Sequence, residues 1–119
     1  MLQTLQRIDR GDVLVLAPAG RLTIESSLTD DLKETVDAAI VAGKKWFVID
    51  GSELAYADSA GLGELVRCFT RIKRTGGQLV FAVPEGHHLR SRFKLTRLDR
   101  ELVILPSVDE AVQSLEKLA

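Results

Sequence analysis

Trp46-Phe47-Val48-Ile49-Asp50-Gly51, followed a short loop later by Asp58-Ser59-Ala60-Gly61-Leu62-Gly63, is the stretch on which the fold turns. Four successive apolar residues closed by Asp-Gly make the pattern of a central strand covered on both faces, since such a strand needs no polar side. After a loop from Gly51 to Asp58, Ser59 opens a helix. Leu62, Leu65, Val66, Phe69 and Ile72 recur on one face of it, and Gly76-Gly77 ends it. Leu79-Val80-Phe81-Ala82-Val83 is then a second buried strand. Strand, helix and strand at this spacing form a crossover unit, whose strands lie parallel and whose connection is right-handed.

The same alternation continues outward. Pro84 to about Leu95 reads as a helix with Leu89 and Phe93 at i, i+4, and Leu102 to Leu105 as a short strand. In the last helix Ser107 and Glu110 form a capping box, and Val108, Ala111, Val112, Leu115 and Leu118 its inner stripe. Upstream, Ser27 with Asp30 gives a capping-box-like start to a helix with the stripe Leu28, Leu32, Val36 and Ile40, stopped at Gly43. Val13 to Ala17 is a strand apolar on both faces, and residues 3 to 8 are its hairpin partner across Asp9-Arg10-Gly11-Asp12. After the breaker Gly20, Leu22 and Ile24 continue as a short strand. The expected class is α/β: a mixed, mostly parallel sheet of about four to five strands, about four helices, and an N-terminal antiparallel hairpin. Ligands and partners of such sheets meet the loops at the carboxyl ends of the strands, here Gly20 to Ser26, Gly51 to Ser59 and Pro84 to His88.

Composition narrows the function. A chain of 119 residues, 45% hydrophobic and 28% charged, reads as one folded domain over residues 1–119. Sixteen Lys plus Arg against 17 Asp plus Glu leave a net charge of −1, which gives no general attraction for nucleic acid or an anionic membrane. Apolar runs such as Val13 to Ala19 are too short to span a bilayer, and the charged start MLQTLQRIDR is not a signal peptide, so the expected compartment is the cytoplasm. Cys68 has no disulfide partner and is expected to be a half-buried hydrophobe. It and the adjacent pair His87-His88 lack the ligand spacings of a metal site, and no Gly-x-Gly-x-x-Gly or Walker pattern offers a cofactor loop.

The chemistry concentrates at Tyr56 to Gly63. Ser59 stands at a helix start, where its hydroxyl is able to cap free N–H groups of the first turn. Gly61 and Gly63 in that turn each cost roughly 0.8 to 1 kcal/mol against Ala, a loss that a close backbone approach would offset. A phosphoryl group on Ser59 would be favoured by the helix dipole and would add about −1.5 to −2 charge beside Asp58. An exposed, helix-opening serine of this kind suits a switch on a docking surface.

This stretch resembles the phosphorylation loop of the STAS family, small domains that include bacterial anti-sigma factor antagonists. The resemblance extends over nearly the whole chain: an early strand into Gly20-Arg21-Leu22, a central strand ending at Asp50, Asp58-Ser59-Ala60-Gly61-Leu62-Gly63, and Gly76-Gly77 before the next strand. It implies a STAS-type fold without enzymatic activity. It also implies that Ser59 is phosphorylated by an anti-sigma factor that is a serine/threonine kinase, with Asp58 shaping the site and a phosphatase reversing the reaction. The unphosphorylated form would bind the anti-sigma factor and release the sigma factor. Ala60 stands where many relatives carry Ser or Thr, which leaves Ser59 as the hydroxyl of the tip. Thr23 replaces an acidic residue common after Gly-x-Leu, and Glu25 nearby offers a charge. The expected docking face comprises Thr23, Glu25, Asp58, Ser59, Ala60, Gly61, Leu62, Glu64 and Arg67. An alternative within the family is a subunit held permanently in a lipid-transport or stress-signalling assembly, with Ser59 as a cap only.

A remoter reading is a small serine hydrolase. Ala57-Asp58-Ser59-Ala60-Gly61 comes near the Gly-x-Ser-x-Gly elbow, with His87 or His88 as base and Glu85 to orient it. The elbow, however, follows its strand directly, and here about eight residues separate Asp50 from Ser59. Arg90, Arg92, Lys94, Arg97 and Arg100 read as a solvated basic face.

Overall fold

The structure, a computed structural model, describes residues 3–119. Along the chain run β1 (Thr4–Arg10), β2 (Val13–Leu22), α1 (Ser27–Val41), β3 (Trp46–Asp50), β4 (Leu54–Ala57), α2 (Ser59–Arg74), β5 (Gln78–Ala82), α3 (His88–Leu95), a 3-10 turn (Leu98–Arg100), β6 (Val103–Leu105) and α4 (Val108–Glu116). The strands pair in the order β1-β2-β3-β5-β6, with β4 added alongside the far end of β2. β1 and β2 are antiparallel, with Ile8 opposite Val15, and every other pairing is parallel. The mixed, mostly parallel sheet with an N-terminal hairpin and four helices matches the expected class.

Alternation along the strands sorts side chains by size. Leu14, Leu16, Phe47, Ile49, Leu79 and Phe81 point to one face, where they meet Leu28, Leu32 and Val36 of α1, Leu65 and Ile72 of α2, and Leu89 and Phe93 of α3. Val13, Val15, Val48, Val80 and Ala82 point to the other and meet Ala111, Val112 and Leu115 of α4. Because helices cover both faces, strands read as continuous apolar runs. Three helices need the bulkier Leu and Phe side, whereas one helix fits closely over Val and Ala.

The structure departs from the sequence reading in several places, among them Ile24, which lies in an exposed turn because β2 ends at Leu22. Among the described residues there are six strands, because the loop from Gly51 to Asp58 contains β4. This four-residue strand is buried only at its ends, Leu54 and Ala57, so it has no period-2 signal. β2 continues past Gly20 with a shift of register between Gly20 and Arg21, since β4 pairs with Gly20, Arg21 and Leu22 and extends the strand past the body of the sheet. The cap of α1 is Ser26, whose side chain accepts from Leu28 N, and Ser27 is already helical. Leu118 lies beyond the end of α4 and is 58% exposed rather than part of the inner stripe.

Candidate functional site

The extension of β2 brings Leu22 against the first turn of α2. Leu22 O accepts from Asp58 N at 3.1 Å, and a side chain at Gly61 would overlap the Leu22 carbonyl. The glycine is therefore required by a backbone approach, which outweighs its poor helix propensity.

Asp58, not Ser59, is the cap of α2. Its Oδ1 accepts from Gly61 N at 2.8 Å and its Oδ2 from Ile24 N at 3.1 Å, so one carboxylate ties the helix start to the Thr23–Ser26 loop that follows β2. These amides, Gly61 first and Ile24 next, hold the Asp58 carboxyl below its ordinary range, with smaller help from the Ala60 amide and the Arg92 charge and with desolvation opposing. With the cap supplied by Asp58, the Ser59 hydroxyl has no structural duty in the first turn. Ser59 is exposed at the first helical position.

The loop opposite is tied down by a residue the sequence reading did not single out. Gln3 Oε1 accepts from Ser26 Oγ at 2.9 Å and from Arg21 N at 3.0 Å. Thr29 Oγ1 donates to Thr23 O at 2.7 Å, and Thr23 itself is half-buried while Glu25 is exposed. Tyr56, 37% exposed, was not among the expected docking residues: the Arg21 guanidinium lies 4.8 Å and the Arg92 guanidinium 5.8 Å from its ring centre. These three residues come from β2, β4 and α3, so no local spacing announces them.

Of the expected docking residues, Ser59, Glu25 and Arg67 are exposed, and Thr23, Asp58 and Ala60 are half-buried. Gly61 and Leu62 are buried, although Leu62 joins Ser59, Gly63, Val66, Arg67, Thr96 and Leu98 in lining a groove of about 380 Å³. Glu64 does not belong to an exposed face. It is only 3% exposed, on the side of α2 turned inward. Its Oε2 accepts from Arg71 Nη2 at 2.9 Å and its Oε1 from Arg67 Nε at 3.3 Å. Arg71 Nε in turn lies 2.7 Å from Asp37 Oδ1 on α1, as an ion pair without hydrogen-bond alignment. Cys68 is fully buried beside this cluster rather than half-exposed, and burial, then the Glu64 charge, push its thiol well above the usual value. Such a thiol stays protonated and unreactive.

Of the two bases that the hydrolase reading calls for, one caps a helix and the other stacks on it. His87 caps α3 with Nδ1 accepting from Leu89 N at 3.1 Å, which leaves Nε2 to donate to Ser52 O at 3.2 Å, and His88 stacks on the His87 ring. Among the described residues no group of three or more His, Cys, Asp or Glu is placed to hold a metal ion, and no helix is long and apolar enough to cross a membrane.

The family model of the STAS domain matches residues 4–111. The chain belongs to the STAS domain family. Among solved structures, a proposed anti-sigma factor antagonist from Thermotoga maritima is 26% identical with a TM-score of 0.82, the match covering 94% of each chain. An anti-sigma factor antagonist from Mycobacterium paratuberculosis is 23% identical with a TM-score of 0.77, covering 97% of this chain and 95% of that one. The Bacillus cell fate determinant SpoIIAA in its phosphorylated form is 18% identical with a TM-score of 0.69, covering 95% of this chain and 98% of its own. This STAS chain thus has the fold of anti-sigma factor antagonists.

Proposed function

We propose that this STAS chain is a non-enzymatic, phosphorylation-controlled docking module: an anti-sigma factor antagonist whose partner is an anti-sigma factor that is also a serine kinase. The carrying observation is Ser59, exposed at the first position of α2 and relieved of capping by Asp58. In the phosphorylation step Ser59 Oγ takes the γ-phosphoryl group of ATP held by the kinase, ADP leaves, and the hydroxyl proton passes to the kinase's base. The unmodified face, with Ser59 between the Thr23–Ser26 loop and the groove, binds the anti-sigma factor and frees the sigma factor. Phosphate adds about −1.5 to −2 charge at the centre of that face and ends the binding. A phosphatase restores it. The family match supports this reading, as does the existence of a phosphorylated form of SpoIIAA, a protein of the same fold.

The test is intact mass and peptide mapping of the protein isolated from its native host, with a Ser59→Ala copy as control. Phosphate on the Ser59 peptide, absent from the control, is the expected result. If no growth or stress condition yields phosphate there, the switch fails and a permanently assembled STAS subunit becomes the reading to pursue.

A further inference from the structure

Ser59, Gly63 and Arg67 follow one another at four-residue intervals along α2 and line the same groove. One turn separates each from the next, about 6 Å along the axis. The Arg67 side chain, although exposed, lies back along the helix. A Cβ placed on Gly63 would lie 3.4 Å from Arg67 Nη1 and 3.7 Å from Nη2, so the guanidinium is folded back over Gly63 toward the helix start. Its Nε donates to Glu64 Oε1 at 3.3 Å, and Glu64, buried and held by Arg71 at 2.9 Å, is a fixed anchor. One edge of the fork is thereby tethered while the two Nη groups remain over the groove. The carboxylate nearest in sequence to Ser59 does not compete for them, since both Asp58 oxygens accept from backbone amides of Gly61 and Ile24.

We infer that Arg67 is the internal receptor of a phosphoryl group on Ser59, reaching it across the gap left by Gly63. This rests on the reading of Ser59 as the phosphorylated residue and specifies how that modification acts. A planar guanidinium with free Nη groups suits the bidentate geometry of phosphate oxygens. The pair spans the groove from Ser59 to Arg67 and covers the surface that Leu62, Val66 and Leu98 offer a partner. Phosphorylation then ends docking in two ways at once, by adding charge and by roofing the groove. The competing cation is Arg92, which influences Asp58 but whose guanidinium is turned onto the Tyr56 ring.

The experiment uses the full chain with phosphoserine incorporated at position 59 during translation, so it needs neither the kinase nor the partner. Phosphorus NMR titration reads the second pKa of the phosphate, ordinarily about 6. Arg67→Gln is expected to raise it by about half a unit to one unit relative to the unsubstituted phosphoprotein, Arg67→Lys by less, and Arg92→Gln by less than about 0.2 units. The Arg67 Nε resonance should titrate with the same midpoint as the phosphate. No change with Arg67→Gln, or an equal change with Arg92→Gln, overturns the inference. Failure here leaves the host phosphorylation of Ser59 to be decided by mass, and absence of host phosphate leaves the titration result standing, so the two ideas fail separately.

Discussion

The two sides of α2 are built to different tolerances. Toward the body of the protein stand Gly61, Glu64, Cys68 and Ile72, all buried, with Gly61 against the Leu22 carbonyl and Glu64 locked by Arg71. Toward the groove stand Ser59, Gly63, Val66 and Arg67, where the nearest neighbour of a Cβ at Gly63 is the flexible end of the Arg67 side chain. Two glycines two residues apart therefore have opposite reasons to exist. Gly61 lets two backbones meet and fixes where the helix starts, whereas Gly63 keeps a working surface open. Fixed placement on one side lets the other side change its chemistry without moving the helix.

The inner side is tested most severely at its ion pair. Arg71→Leu leaves the Glu64 carboxylate buried without its main partner, which typically costs about 3 to 5 kcal/mol. The lower end is expected here, because the Arg71 side chain is 25% exposed and Arg67 still contacts Glu64. Urea unfolding of Arg71→Leu and of the double variant Glu64→Leu/Arg71→Leu separates charge burial from lost packing. The double variant should recover most of the loss, as apolar replacements of buried pairs commonly do. A single-variant loss under about 1 kcal/mol would mean that the pair behaves as a screened surface contact, and the contrast between the two sides would weaken.

Next in size is Gly61→Ala. Its methyl overlaps the Leu22 carbonyl, and that backbone is held by the Asp58 amide, so relief requires the helix start to shift. Overpacking of this kind costs typically 1 to 3 kcal/mol, and the better helix propensity of Ala returns up to about 1. A net loss of about 2 kcal/mol in the same urea experiment is expected. Full stability in Gly61→Ala would show that the Leu22 contact has slack, and the two glycines would then be equivalent.

How much of this was readable beforehand depended on whether the signal was local. The buried strands were legible because helices on both faces leave runs such as Phe47-Val48-Ile49 entirely apolar. β4 was not, because the strand it pairs with is the end of β2, more than thirty residues earlier, and its burial has no period. At the start of α2 the sequence points to Ser59 as the cap, whereas Asp58 caps: either side chain is a good cap, and the choice depends on which residue still has extended backbone. The Asp58 contact to Ile24 N and the Arg21-Tyr56-Arg92 stack exist only once the strands are assembled. Glu64 was misplaced because charge outweighed position. Its spacing from Gly61, Cys68 and Arg71 puts it on the buried stripe, and Arg71 seven residues on was its visible counter-charge.

The smallest effect is also the one that most sharpens the contrast, because its sign is opposite. Gly63→Ala replaces a helical glycine whose added methyl would stand 3.4 Å from Arg67 Nη1, an ordinary contact with a flexible group. Helix propensity and the reduced freedom of the unfolded chain should then stabilise the unphosphorylated protein by about 0.5 to 1 kcal/mol, seen as a higher urea midpoint at unchanged slope. A loss instead would mean that the guanidinium is packed on Gly63 as firmly as Leu22 is on Gly61. If the gain is found, glycine at position 63 is not there for stability. The groove between Ser59 and Arg67 is then kept open at the expense of the helix, as a surface that must accept two different occupants would require.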